Sequence, residues 1–467
     1  MACSRWVSIV AFPLLGFIVL GKADAFHLLQ FPPNNRAVGS SSATTRNKCN
    51  IKRTTGSSRD LYKSCNDTEA STGRRSYLGK AAAMAAATLF TNAPVAHGEI
   101  TEDSQWPLWP ALPVAPYSRR RTIRQEVVPG AVWTFDQVIG IYYVFVPIRM
   151  TVTASKGLKG LVVYAPAAPT KECLNLLQEL IDVHGPVKAI ILPTVAVEHK
   201  VNAGPFARQF PNALFYVTDR QYSFPISLPG QFLGFPSWTQ PLPVSSEEGN
   251  NNPLGPDFSW EVISVKPGPA SQYQDVALLH KPSKSLMICD ALFATTAEPP
   301  SILTQEPEYT RALLFHAREE KDEIVPDTPE NRRKGWRRIV LLFNFFFPGS
   351  GVADLGDNGK PTIYTIVQII LSRDPAAVTT WVNKVGQWDF VRVIPAHLDA
   401  PLAVGPSQFR DTYDFLQRDP SGGNEVRYCD EDVAFLRKAE EGFLSFSVYP
   451  SKFGALRGRN GDCGLVN

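Results

Sequence analysis

Cysteine is scarce and unpatterned, seven residues in a chain of 467. With no CxxC pair and no zinc-ribbon spacing, neither a disulfide scaffold nor a cysteine-based zinc module is expected to organise the fold. Cys3, Cys49 and Cys65 fall in the head of the chain. Cys173, Cys289, Cys429 and Cys463 fall in its body, where partly buried thiols are the default. Long apolar runs are missing too: after residue 98 no stretch approaches the roughly 20 apolar residues that span a bilayer, so a soluble or peripheral body is expected. Net charge is small, a formal +3, and unevenly held: residues 1–98 carry 12 Lys and Arg against four Asp and Glu, leaving 35 against 40. That slightly acidic body carries no recognisable nucleic-acid motif, so nucleic acid is not an expected partner. Gly349-Ser350-Gly351 lacks the Gly-Lys-Ser/Thr that completes a phosphate-cradling loop. What the chain does have is 44% hydrophobic and 11% aromatic residues, enough for a substantial core, and 39 prolines with 32 glycines, which imply many loops.

The head reads as targeting grammar, not fold. Arg5, the apolar run from Ile9 to Leu20 and the small-residue site Ala23-Asp24-Ala25 make residues 1–25 a signal peptide. Residues 26–73, rich in Ser, Thr, Asn and Arg and poor in acids, resemble a plastid transit segment. In residues 74–98, Arg74-Arg75 precedes an Ala-rich apolar stretch ending near Ala96-His97-Gly98, which resembles a twin-arginine signal for the thylakoid lumen. The competing reading makes residues 80–90 a helix within a longer transit peptide. Plastid delivery, with the lumen as destination, is the expectation.

Residues 99–130, with several prolines and the cluster Arg119-Arg120-Arg121, read as a linker or arm with solvated charges. The folded body is expected from about Val132. Strands are predicted at Ile141 to Pro147, Met150 to Ala154, Leu161 to Tyr164, Val187 to Leu192, Ala213 to Val217, Val262 to Val265, Val276 to Leu279 and Leu286 to Cys289, with Pro282-Ser283 turning the last pair into a hairpin. Helical spacing of Leu174, Leu177, Leu180 and Ile181 predicts a helix from Lys171 to His184 that Gly185-Pro186 stops, and a short helix is expected around Phe206. Beyond residue 305 the pattern turns helical: Asn331 to Phe346, Thr362 to Leu371, Pro375 to Trp388, Gln408 to Leu416 and Asp430 to Phe443, with a strand at Phe390 to Ile394. The Phe-rich segment Ile339 to Phe347 after its basic start reads either as a buried helix or as a membrane-surface or partner contact. Strands flanked by helices indicate a layered α/β arrangement.

Reactive groups in such folds lie on loops just past strands. Three places qualify: Pro193 to Lys200, with Glu198 and His199, after Val187 to Leu192; Asp290 after Leu286 to Cys289; and His397 after Phe390 to Ile394. Two imidazoles and a carboxylate suit a divalent ion, because each offers a lone pair at about 2 Å. The competing reading is that each caps a turn or makes buried hydrogen bonds. His280 is excluded by distance, since roughly four residues of strand put it about 13 Å from Asp290.

The stretches Val146-Pro147-Ile148-Arg149-Met150-Thr151, Tyr164-Ala165-Pro166-Ala167-Ala168-Pro169-Thr170, Glu198-His199-Lys200 with Phe206 to Ala213, His280-Lys281-Pro282-Ser283 to Asp290, and Ile394-Pro395-Ala396-His397 resemble an uncharacterised plant, algal and cyanobacterial family, a divergent relative of the metallo-β-lactamase fold. The resemblance implies an α/β fold, an αββα sandwich with a helical C-terminal half over residues 131–450, followed by a tail at 451–467. Enzymes of that superfamily carry Thr-His-x-His-x-Asp-His, then Pro-Gly-His, a bridging Asp and a last His. Here Thr194 opens the loop, Val195 and Val197 stand where its first two histidines would be, and Pro267-Gly268-Pro269 replaces Pro-Gly-His. Glu198-His199 resembles the closing Asp-His, and Asp290 and His397 match the last two elements. The resemblance therefore implies at most one divalent ion (zinc, iron or manganese) held by His199, Asp290 and His397, with Glu198 or Asp290 handling a proton. Such a site would hydrolyse an ester, thioester or phosphoester of a small-molecule substrate. The alternative is a fold kept without its chemistry, an interaction or assembly factor for a thylakoid protein complex.

Overall fold

The computed structural model describes residues 120–141, 143–221, 229–247, 252–268, 271–320, 322–344 and 359–416. The leader segments 1–98 and the helix expected at Asp430 to Phe443 lie outside the described residues. Two sheets face each other. The larger holds seven strands in chain order, β1 (Ile123–Val128), β2 (Val132–Ile141), β3 (Val144–Ser155), β4 (Gly160–Tyr164), β5 (Val187–Leu192), β6 (Leu214–Val217) and β7 (Gln240–Pro241). The smaller runs β11 (Arg392–Pro395), β10 (Ser285–Ile288), β9 (Ser271–His280), β8 (Phe258–Gly268). Pairing is antiparallel from β1 to β4, parallel from β4 to β7, antiparallel among β8, β9 and β10, and parallel between β10 and β11.

Side-chain alternation builds the layers. On β4 and β5, Leu161, Val163, Ile190 and Leu192 face helices α1 (Lys171–His184) and α2 (Val197–Gln209) in one apolar cluster. Their neighbours Val162, Tyr164, Ala189 and Ile191 turn inward and meet Val276, Leu278, Met287 and Cys289 of the second sheet. The outer face of that sheet packs on α3 (Ser301–Gln305), α4 (Pro307–Ala317), α5 (Pro329–Phe343), α6 (Thr365–Leu371), α7 (Pro375–Val385) and α8 (Pro406–Asp411) through Leu279, Leu286, Leu313, Trp336, Val367 and Trp381. The order is αββα with helices gathered toward the C-terminus, as the resemblance implied. Among the described residues no helix is long and apolar enough to cross a membrane.

α1 and β5 have the predicted bounds. Thr170 Oγ1 accepts from the Cys173 N–H to cap α1, and Gly185 at φ 91° closes it, a backbone angle that disfavours a side chain. The strands predicted at Ile141 to Pro147 and Met150 to Ala154 are one: β3 runs unbroken from Val144 to Ser155, with Pro147 inside it opposite Val138 of β2. The arm is not an arm from Ile123 onward, where β1 pairs with β2. Nor is the basic cluster solvated throughout. Arg120 is buried with Nη1 donating to Val138 O at 3.3 Å, and Arg121 pairs with Glu172. Cys173 and Cys289 are fully buried, not partly so. The described part of the Phe-rich segment, Ile339 to Phe343, lies in α5, and its basic start is spent on ion pairs: Arg332 with Asp327, Arg333 with Glu298, and Lys334 and Arg338 with Glu319.

His316, near the end of α4, is buried, and desolvation pushes its pKa down to about 4 against a hydrogen bond to the Tyr143 backbone that raises it. The unfolded chain binds this proton near pH 6.5 and the folded chain only near 4, so stability falls as pH drops through that window, by about 2 kcal/mol at pH 5. Urea denaturation of His316→Gln is expected to lose that part of the difference between pH 7 and pH 5; an unchanged difference contradicts the assignment.

Candidate metal centre

The C-terminal ends of β5, β10 and β11 meet at one edge of the sandwich, and isolated bridges between Thr194 and Asp275 and between Ile148 and His397 tie the two sheets there. Glu198, His199, Asp290 and His397 converge at this point, and each is buried. Glu198 and His199 reach it from the first turn of α2, not from the loop expected. Gly204-Pro205 reads as a helix breaker. Packing of Ala203, Phe206 and Ala207 against the first sheet carries the helix through it.

His397 Nε2 lies 3.0 Å from His199 Nε2 and 3.4 Å from Asp290 Oδ1. On its other side the His397 Nδ1–H donates to the Pro147 carbonyl at 2.8 Å. A carbonyl only accepts, so Nδ1 carries a proton and Nε2 is the atom offered to the site. Two ring nitrogens 3.0 Å apart must have something positive between them, a shared proton or a cation. Asp290 is held by Thr194, whose hydroxyl donates to Oδ2 at 2.8 Å. Burial would raise the Asp290 carboxyl, but the hydrogen bond and charge of His397 and the Thr194 hydroxyl keep it below the usual range. Burial drives His199 down to about 3, with the nearby His397 adding to the effect, so His199 is neutral. The hydrogen bond and charge of Asp290 outweigh burial and raise His397. Glu198 is pushed up to about 7, first by burial and then by the charge of Asp290.

The donor chemistry fits one divalent ion. Ligand atoms of Glu198, Asp290 and His397 lie within 4.8 Å of one another, as do those of His199, Cys289 and Asp290. A four-coordinate ion with bonds of about 2 Å needs donors roughly 3 to 3.5 Å apart, and the separations of 3.0 and 3.4 Å are of that size. The Nδ1–H bond to a backbone carbonyl is the outer arrangement that fixes a ligating imidazole. His199 Nδ1, by contrast, is buried without a partner. His280, set aside in the sequence, is indeed remote: it pairs with Ser285 at the far end of the β9–β10 hairpin and contacts Ser283 Oγ.

Three contributors were not picked out from the sequence. Cys289 was read only as a thiol; at the last step before Asp290 it belongs to the inter-sheet face, and burial and the surrounding carboxylates hold its pKa high. Asp275 on β9 is fully buried and accepts three backbone N–H groups, from Cys289 at 3.2 Å, Asp290 at 2.6 Å and Ala291 at 2.7 Å. It thereby shapes the turn that presents Asp290. The signal for it was a lone carboxylate inside the apolar run Tyr273 to Leu279. Tyr364 stacks on Phe293 at 3.7 Å and meets Phe343, itself 6.1 Å from the His397 ring. The Tyr364 hydroxyl is buried without a partner, and after burial the charges of Asp290 and Glu198 are what raise its pKa.

No curated protein matches the chain. Among solved structures, it is similar to the metallo-beta-lactamase FIM-1 from Pseudomonas aeruginosa in the mono-zinc form, with 11% identity over 63% of this chain and 95% of that one and a TM-score of 0.32. A metallo-beta-lactamase from Pontibacter korlensis gives 12% identity over 64% and 100%, TM-score 0.33. The Flv1 flavodiiron core from Synechocystis sp. gives 11% over 64% and 62%, TM-score 0.35. Residues 129–354 and 351–415, more than half of the chain, match a family described as Domain of unknown function (DUF4336), and the chain belongs to that family.

Proposed function

We propose that the protein is a single-metal hydrolase of an ester, thioester or phosphoester, with His199, Asp290 and His397 as the ligand set. The observation that carries this reading is the convergence of the two Nε2 atoms at 3.0 Å beside an ionised Asp290. Zinc, iron or manganese held there would supply a Lewis acid for a carbonyl or phosphoryl oxygen. The chain's own groups do the rest. Asp290 stays charged, steadied by Thr194, and His397 is held by Pro147. Glu198, poised at about 7, takes a proton from water as it attacks the carbonyl carbon or phosphorus and returns it to the departing alcohol or thiol as that bond breaks, which is the balance a general acid–base group must keep. Phe293, Phe343 and Tyr364 wall the site with aromatic surface and limit bulk water. Delivery to the plastid belongs to the same proposal and is supported by the composition of residues 1–98.

Glu198→Gln is expected to lower hydrolysis of a generic aryl ester about 100- to 10,000-fold, while bound zinc stays near one equivalent. Retained hydrolysis in that variant removes Glu198 from the mechanism. Absence of both bound metal and hydrolysis from the wild type would leave the interaction-factor reading.

A further inference from the structure

We propose that Arg149 is the positioning residue of the site: it clamps the backbone on both sides of His397 and so aims its Nε2. The proposal rests on the reading of His397 as a metal ligand. Arg149 lies on β3, buried, directly opposite Asp136 of β2. Its Nε is 2.7 Å from Asp136 Oδ1, and Nη2 donates to Oδ2 at 3.0 Å. The rest of the fork crosses to the other sheet. Nη1 donates to Pro395 O at 2.8 Å, Nη2 to Leu398 O at 2.9 Å, and the Arg149 backbone N–H to Ala396 O at 2.7 Å. Three carbonyls among residues 395–398 thus answer to one residue, and Pro147, two steps along the same strand, receives the His397 Nδ1–H.

This arrangement also accounts for Leu398, which follows His397 with φ at +57°, a region that branched side chains avoid. A backbone held there needs an external anchor, and the donor on the Leu398 carbonyl is Arg149. Cohesion alone does not call for such a residue. A buried ion pair is a weak source of stability, and apolar residues of similar volume hold a core as well. What only arginine supplies is a rigid fork of donors able to serve a carboxylate and two carbonyls together; lysine is a single point.

Two variants of the full-length chain test this. Arg149→Lys keeps the charge and loses the fork. Arg149→Met with Asp136→Leu removes both partners, so no buried charge is stranded. Zinc affinity, read by chelator competition, is expected to weaken about 10- to 100-fold in both, the usual cost of losing an outer partner of a ligating histidine. The double variant is expected to keep a cooperative urea transition. The second readout needs no metal. In selectively 15N-histidine-labelled, metal-free protein, the His397 Nδ1–H proton, assigned by its loss in His397→Gln, is expected to exchange slowly in the wild type and rapidly in both variants. Slow exchange retained in the folded double variant overturns the clamp, as does zinc affinity within about twofold of wild type. A wild type that binds no zinc while the exchange difference appears overturns the metal reading and leaves the clamp standing.

Discussion

Converting His199 and His397 together to alanine is expected to reduce bound zinc from about one equivalent per chain to less than roughly 0.2. The two rings supply the nitrogen donors of the cluster, and what they leave behind is Asp290, Glu198 and a buried thiol. Two carboxylates without imidazole favour oxygen-seeking ions over zinc. The two changes should cost less together than the sum of the single ones, although loss of the His397 contacts to Asp290 and Pro147 remains in the pair. Each ring is the other's partner at 3.0 Å, so a single substitution strands one buried polar nitrogen at about 1 to 3 kcal/mol, and the second substitution removes that penalty. Metal analysis with urea unfolding of the two single variants and the double variant checks both parts. Zinc retained by the double variant, or strictly additive destabilisation, contradicts the paired arrangement.

The largest loss of stability is expected at Asp275. Its carboxylate satisfies the N–H groups of Cys289, Asp290 and Ala291, which turn into the protein interior as β10 ends. Asp275→Ala leaves all three without an acceptor, and at about 1 to 3 kcal/mol for each buried unsatisfied group, partly relieved by relaxation, a loss of about 4 kcal/mol follows. Asp275→Asn should fall between. Its amide oxygen can still serve the two N–H groups now at Oδ2, while its NH2 would face the Cys289 N–H, a donor against a donor. The ordering wild type, Asn, Ala in urea midpoint is the expected result. A loss below about 1 kcal/mol for Ala would mean that the turn finds other acceptors. Since the same turn carries Asp290, zinc binding should weaken in the same order.

The sequence made the layers legible because alternation and helical spacing are local: β5 and α1 have the bounds their apolar periods predicted. Glu198, His199, Asp290 and His397 were singled out as groups following strands, and all four lie at the meeting of β5, β10 and β11. What local pattern did not carry was anything fixed by distant partners. α2 survives an internal Gly-Pro because the first sheet supports it, and β1 was mistaken for a linker because its residues are only half-buried at the sheet edge. Arg149 and Asp275 look like ordinary polar positions on half-exposed strands. Their roles come from partners 246 and 14 residues away in the chain. No window along one strand contains the Arg149 partner, and the Asp275 partners lie across a turn.

The most direct test of the central claim is anomalous diffraction at the zinc edge from crystals of the full-length protein grown with one equivalent of zinc. The account predicts a single strong peak about 2 Å from His199 Nε2, His397 Nε2 and an Asp290 oxygen. No peak at that point, or a peak only at surface carboxylates while the two imidazoles stay 3 Å apart sharing a proton, would contradict it.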